Sequence, residues 1–289
     1  MKRLILIDFS WLYNRYYYVA SSTPSVHDNE KKDVKVTLER MLTQFLQLVH
    51  RSYPSSKIFL ALDPATSSLK NKAIFEGYKQ NRDKEAKKEV YQFIVDIIKN
   101  LSAKLDSEVF YFIREKLYEA DQLLAYMVKK YHKNHEIIIY SGDKDLLQLT
   151  SYPNTFIADK FEHGHFLIKT NEEIFQKFKN SKGEDFSRIS MNKRDILKYR
   201  SLKGDPSDNL SSVFPRIKDK EIIEVIRGYW VDTQEEALTE ERIEKILEDL
   251  EGDNPVLAEK LRANKDVWLR NYKIMDLLHV DDMSIRRLK

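Results

Sequence analysis

Eight carboxylates recur where catalytic acids are useful. Asp8 follows the apolar run Leu4 to Ile7, and Asp63 follows Ile58 to Leu62. Glu119 and Asp121 open a helical pattern after the run Val109 to Ile113. Asp143 and Asp145 follow Ile137 to Tyr140 through a Ser-Gly step, and Asp205 and Asp208 stand in the phrase LKGDPSDN. Groups at the carboxyl ends of strands in an open α/β sheet converge on one crevice, so acids distant in sequence can share a pocket. Gathered there they repel one another unless cations neutralise them. Hard divalent cations, Mg²⁺ or Mn²⁺, take carboxylate oxygens, and two of them about 4 Å apart clamp the attacking and leaving oxygens of a phosphodiester displacement. Singly each acid has a plainer use, as the N-cap or first-turn acid of a helix or as the start of an Asp-Pro turn. Their joint recurrence points to metal.

Two basic groups accompany the acids. The segment KNKAIFEGYKQNRDKEAKK, Lys70 to Lys88, interleaves Lys and Arg with Phe75 and Tyr78. Basic side chains neutralise phosphates, and an aromatic ring stacks on an unpaired base. Arg188 to Lys203, followed by Arg216, Lys218 and Lys220, flanks Asp205 and Asp208. The stretch from Asp232 to Lys260 is dominated by acids instead and would repel a phosphate backbone.

The elements that must position these residues follow from periodicity. The apolar runs read as buried parallel strands. Between them Val34 to Tyr53, Glu89 to Leu105 and Glu119 to Tyr131 carry apolar residues at helical spacing. Strands alternating with helices predict a doubly wound α/β domain with a mostly parallel sheet. A hairpin over Thr155 to Ala158 and His165 to Lys169 leads into helix-dominated sequence from Ile189 onward. The predicted division is an α/β domain over residues 1–185 and a helical region over 186–289.

Composition sets the outer bounds. The chain has 289 residues, 42% hydrophobic and 33% charged, with a formal net charge of +3 and no cysteine. That is enough apolar content for a sizeable core, and it excludes disulfides, thiol catalysis and cysteine-ligated metal. None of the seven glycines stands in a dinucleotide or P-loop pattern. There is no GxSxG elbow and no HExxH, and Asp8-Phe9-Ser10 lacks the second aspartate of an aspartyl-phosphate phosphatase. The apolar run at the start is too short for a signal-peptide core, and no stretch has the length of a membrane helix. A soluble, cytoplasmic, monomeric protein without membrane contact is expected, since no heptad pattern is present.

The phrases LILIDFS, FLALD, GYKQNRDK, YEADQLLAYMVKKY, IIIYSGDKDLLQL and LKGDPSDN, in that order over roughly residues 1–210, resemble the structure-specific 5′ nuclease family of flap endonucleases and 5′–3′ exonucleases, and within it the bacteriophage branch. The resemblance implies a PIN-like fold with a degenerate helix–three-turn–helix element in the helical region and an arch over about 68–105. It implies that Asp8, Asp63, Glu119, Asp121 and Asp143 serve a first Mg²⁺ and Asp145, Asp205 and Asp208 a second, with Mn²⁺ able to substitute. Tyr78, Lys79 and Arg82 match the family's Tyr-Lys-x-x-Arg segment at the arch base, which implies Lys79 on the scissile phosphate and Arg82 stabilising developing charge or holding the backbone. Arg15 matches a family arginine on the first helix. Lys70, Lys84, Lys87, Lys88, Lys203, Lys218 and Lys220 are then expected on nucleic acid. The implied reaction is in-line hydrolysis of phosphodiesters near 5′ ends of duplex DNA and RNA–DNA hybrids, removing RNA primers or flaps during replication. A sliding clamp and a single-strand-binding protein are implied partners.

Three positions depart from the family pattern. Gln122 follows Asp121 where a further Asp is usual, which leaves the second metal short of an acid and keeps open a weakly catalytic 5′-end or flap-binding protein of the same fold. SSVFPRIKDKEII has no glycine where a Gly-x-Gly hairpin grips phosphate, or K⁺, and Leu69-Lys70 replaces a Phe-Arg pair.

Overall fold

A computed structural model describes residues 2–22, 34–64, 69–81, 84–176, 192–231, 237–283 and 285–287. In chain order it runs β1 (Lys2–Asp8), α1 (Phe9–Ser22), α2 (Val34–Ser52), β2 (Lys57–Leu62), α3 (Leu69–Ile74), α4 (Lys84–Lys104), β3 (Phe110–Arg114), α5 (Ala120–Tyr131) and β4 (His135–Tyr140). It continues with β5 (Thr155–Glu162), β6 (His165–Ile168), α6 (Asn171–Gln176), α7 (Asp195–Lys203), α8 (Asp219–Glu224), α9 (Glu240–Asp253), α10 (Pro255–Arg262), α11 (Lys265–Met275) and β7 (Arg286–Arg287). The residues divide into two compact units, one of Met1–Ser68, Asp83–Thr170 and Asp281–Lys289, the other of Leu69–Arg82 and Asn171–Val280.

The first unit is built on a sheet of order β6-β5-β4-β1-β2-β3-β7, parallel through its five central strands and antiparallel at both edges. β1 lies at its centre, between β2 and β4, and Ile5, Leu6 and Ile7 have no exposed surface. A strand covered on both faces needs an unbroken apolar run, which is why LILI shows no alternation. Pleating sends Ile5 and Ile7 into a core with Phe9, Leu12, Leu38, Leu42, Leu46, Ile97 and Leu101 of α1, α2 and α4. α5 packs on β1, β2, β3 and β4 with its buried Leu123, Leu124, Met127 and Val128. The chain enters β2 on one side of β1 and reaches β4 on the other, so the strand order reverses at β1. That reversal opens the crevice at the carboxyl ends of β1, β2 and β4.

The second unit is helical. α7 packs on α11, and α9 packs on α10. Trp268 is fully buried and meets Trp230 edge-on at 5.2 Å between ring centroids. Asn271, also fully buried, donates from Nδ2 to the carbonyls of Ser201 (3.1 Å) and Ser211 (2.8 Å), tying α11 to the end of α7 and the loop beyond it. Gly204 has φ +76°, and a Cβ there would stand 2.5 Å from the Ser211 carbonyl, so only glycine lets the loop fold back on itself.

The mostly parallel sheet and the helical region are as the periodicity predicts. The units differ from a single division at residues 185 and 186 because Leu69–Arg82, from the expected arch, clusters with the helical unit while α4 clusters with the sheet. Contacts from Gly77–Asn81 to the turn Pro206–Asp208, described below, account for this. β7 was not legible: Arg287 adds to the β3 edge and stacks its guanidinium 4.3 Å from the Tyr111 ring.

Candidate active site

Three acids follow the ends of three neighbouring strands. Asp8 closes β1 and stands in register with Ala61 of β2, two residues before Asp63, while Ile7 is opposite Tyr140 at the end of β4, three residues before Asp143. Asp8 is buried, 8% exposed. Its Oδ1 accepts the Trp11 amide at 3.0 Å and its Oδ2 the Ser141 hydroxyl at 2.9 Å. Burial, then the adjacent Asp63, push its carboxyl up from 3.8 to about 7, with Asp143 adding to the rise and the Trp11 and Ser141 hydrogen bonds opposing it. The loop after β4 comes this near because Gly142 has no side chain: a Cβ would lie 2.6 Å from the Trp11 indole nitrogen.

Asp63 reaches the next element. Its Oδ1 accepts the Ala120 amide at 2.9 Å, so the carboxylate sits at the positive end of α5 beside Glu119 and Asp121. Glu119 is the N-cap of α5 and is 4% exposed. The Glu119 amide donates to Gln122 Oε1 at 3.1 Å, and the Gln122 amide to Asp121 Oδ1 at 2.6 Å. Gln122, which interrupts the acidic run, is therefore turned inward, 3% exposed, holding the first turn of α5 closed. Asp143 Oδ1 accepts the Asp145 amide at 2.9 Å, and the Ser141 hydroxyl accepts the Asp143 amide at 3.0 Å. Ser141 thus links Asp8 to Asp143, a role the sequence reading missed. The signal was available as a small hydroxyl residue between the end of a strand and an acid.

The first unit brings together Asp8, Asp63 and Asp143 around one buried carboxyl, with Glu119 and Asp121 at the head of α5 and Asp145 at the head of the 3-10 turn Asp145–Ser151. Among the described residues no three His, Asp or Glu side chains stand at metal-holding spacing. The donor chemistry nevertheless fits a hard divalent cation. Burial, and then the nearby Asp63 and Asp143, lift the Asp8 carboxyl to about 7, and a cation is the charge that would relieve these oxygen donors.

The other two expected metal acids belong to the second unit. Asp205 caps the turn Pro206–Asp208: Oδ1 accepts the Ser207 amide (2.9 Å) and hydroxyl (2.7 Å), and Oδ2 pairs with Arg200 at 2.6 Å. Burial raises its carboxyl, but the Ser207 hydroxyl and amide and the Arg200 guanidinium outweigh this and leave it below the ordinary range. Both oxygens meet protein partners, as in an Asp-Pro turn. Asp208 faces the Tyr-Lys segment. Tyr78, 3% exposed, donates its hydroxyl to Asp208 Oδ2 at 3.2 Å, and Lys79 Nζ stands 3.6 Å from the same oxygen and 4.9 Å from the centre of the Tyr78 ring.

The remaining basic residues divide. Arg15 is exposed, donates to the Asp159 carbonyl at 2.6 Å and lies 5.3 Å from the Trp11 ring. Lys203 is paired with Asp219 at 2.7 Å, which takes up charge expected to face nucleic acid. Lys218 and Lys220 are exposed and Lys70 is half-buried. Arg82 lies outside the described residues, as do the side chains of Lys84, Lys87 and Lys88.

Comparison with known proteins places the chain in a family. The chain is 24% identical to a 5′–3′ exonuclease of Mycoplasmopsis pulmonis over 281 residues, covering 96% of this chain and 80% of that one. It is 26% identical to the ribonuclease H of Enterobacteria phage T4 over 224 residues, covering 73% of this chain and 63% of that one. Among solved structures, its fold matches a bacteriophage T5 flap endonuclease in a pseudo-enzyme–product complex with DNA and metal ions, with a TM-score of 0.59 and 17% identity over 96% of this chain and 90% of that one. Residues 3–179 match the family model of the 5′-3′ exonuclease N-terminal resolvase-like domain, and the chain accordingly belongs to that family of nucleases.

Proposed function

We propose that this protein is a divalent-metal-dependent 5′ nuclease that hydrolyses phosphodiesters near the 5′ ends of branched duplex DNA and RNA–DNA hybrids, with removal of RNA primers as its role. The observation that carries the reading is Asp8, a carboxyl at the end of the central parallel strand that is raised by burial and then by its neighbours Asp63 and Asp143. Asp8, Asp63 and Asp143 hold the first cation, Glu119 and Asp121 complete its surroundings, and Asp145 serves a second. Mg²⁺, with Mn²⁺ as its substitute, supplies charge neutralisation at the phosphate and an activated water for in-line attack.

The chain's own residues do the rest. Ser141 fixes Asp8 and Asp143 with one hydroxyl, and the head of α5 fixes Asp63. In the second unit Lys79 offers an ammonium to a phosphate, a charge kept oriented by Asp208. Arg82 adds a guanidinium suited to two phosphate oxygens. Arg15, Lys70, Lys84, Lys87, Lys88, Lys218 and Lys220 grip the backbone, which gives preference for structure rather than sequence. The T5 flap endonuclease complex with DNA and metal ions supports the substrate class.

The test is incubation of a 3′-labelled 5′-flap duplex and of a hybrid with a 5′ RNA strand, each with Mg²⁺ and with EDTA. Shortening from the 5′ side in Mg²⁺ alone is expected. A gel shift without cleavage in either Mg²⁺ or Mn²⁺ would overturn the proposal in favour of a binding protein of the same fold.

A further inference from the structure

Two pieces of chain, about 130 residues apart in sequence, grip each other in the second unit. The Lys79 amide donates to the Asp208 carbonyl at 3.0 Å, and Asn209 Nδ2 donates to the Gly77 carbonyl at 2.8 Å. Asn81 Nδ2 reaches the Pro206 carbonyl at 3.3 Å. With the Tyr78 and Lys79 side chains on Asp208, the contacts cross in both directions. Both sides use a left-handed backbone at the point of contact, φ 53° at Lys79 and φ 62° at Asn209. That conformation suits Asn, whose short polar side chain tolerates it, and disfavours Lys. Lys79 is therefore held in a conformation its own chain does not choose. The Asp208 carbonyl accepts its amide, and the Asn209 side chain holds the Gly77 carbonyl two residues before it.

We infer that Asn209 is a positioning residue for Lys79: its side chain locks the Gly77–Asn81 segment onto the Asp205–Asn209 turn and sets where the Lys79 ammonium stands. The inference deepens the nuclease reading and rests on it for the catalytic part, while the lock itself is a statement about the fold. A second anchor keeps the segment's other end in place: Arg270 of α11 stacks 4.2 Å over the Phe75 ring. The lock is set at the Asn209 end, where its amide group adds to the Lys79, Tyr78 and Asn81 contacts that join turn to segment. Asp208 gains a role apart from metal binding, as the carboxylate that orients Tyr78 and Lys79 together.

The variants are Asn209→Gly, which keeps a left-handed backbone and removes only the amide donor, and Asn81→Ala at an exposed position as a milder release. Two readouts are taken on the full chain: hydrogen–deuterium exchange of residues 77–81, and steady-state cleavage of a 5′-flap duplex in Mg²⁺. Asn209→Gly is expected to speed exchange at Lys79 about tenfold and lower kcat about tenfold with KM within about twofold, because a displaced charge loses transition-state contact before it loses binding. Asn81→Ala should move both readouts in the same direction, by less. Unchanged exchange overturns the lock, whatever happens to cleavage. Faster exchange with unchanged kcat overturns the positioning role, and a loss confined to KM does the same. A wild-type chain that cleaves nothing refutes the nuclease reading and the positioning role with it, and the exchange arm still decides the lock.

Discussion

Asp8 allows the candidate site to be tested through stability rather than turnover. Its folded carboxyl titrates near 7 against 3.8 for an unperturbed one. A raised acid holds its proton more tightly in the folded state, so folding suffers as soon as the unfolded chain can release that proton. The cost is absent below about pH 4, grows as the pH rises, and is complete above about pH 7. Three units at about 1.4 kcal/mol each make roughly 4 kcal/mol, which in a chain of this size lowers Tm by about 8 to 16 °C. Asp8→Asn removes the titration and keeps the packing: its carbonyl still accepts the Trp11 amide, and the Ser141 hydroxyl can turn to accept from the new amide. Thermal unfolding in EDTA at pH 5 and pH 8, at one ionic strength, should then show wild type losing more stability than Asp8→Asn between the two values. At pH 8 the variant should be the more stable protein, and added Mg²⁺ should raise the Tm of wild type alone. Equal losses in both proteins would refute the crowded buried carboxyl and the cation site argued from it.

Three other changes probe separate parts. Asp143→Asn should lower flap cleavage by about two orders of magnitude or more while substrate binding by gel shift stays within a few-fold, as expected of a group acting on the transition state; a modest rate loss would remove Asp143 from the metal set. Arg200→Ala deprives Asp205 of its ion pair, and because the Asp205 carboxyl lies below the ordinary range when folded, its contribution is present at neutral pH and lost as the pH falls below about 4. Denaturant titrations should therefore show the variant less stable than wild type at pH 7 and the gap closing in acid. Gln122→Ala opens the first turn of α5 and should cost about 1 kcal/mol in urea unfolding, the usual worth of a cap.

Legibility in the sequence followed burial. β1 and β2 are buried strands closed by an acid, and a run such as LILID states both facts in five letters. Periodicity alone does not show α1, which the resemblance places around Arg15, since YNRYYYVASS mixes exposed Tyr17 and Tyr18 with buried Tyr13 and Ala20, and aromatic residues carry no clean helical stripe. β7 escaped for a different reason: two arginines make an edge strand only because β3 offers free backbone and Tyr111 offers a ring.

The acids divide along the same line. Asp8, Asp63 and Asp143 were readable because each follows a strand, and strand ends of a parallel sheet meet by topology alone. Asp205 and Asp208 share one short turn, and spacing gives them the same standing. Their chemistry diverges through partners that lie elsewhere in the chain: Arg200 and Ser207 occupy both oxygens of Asp205, while Tyr78 and Lys79, about 130 residues away, meet one oxygen of Asp208. One carboxylate is thus held by a guanidinium and a hydroxyl, the other by a phenol and an ammonium. That turn therefore meets the Tyr-Lys segment through Asp208, which faces Tyr78 and Lys79, and through Asn209, which holds the Gly77 carbonyl.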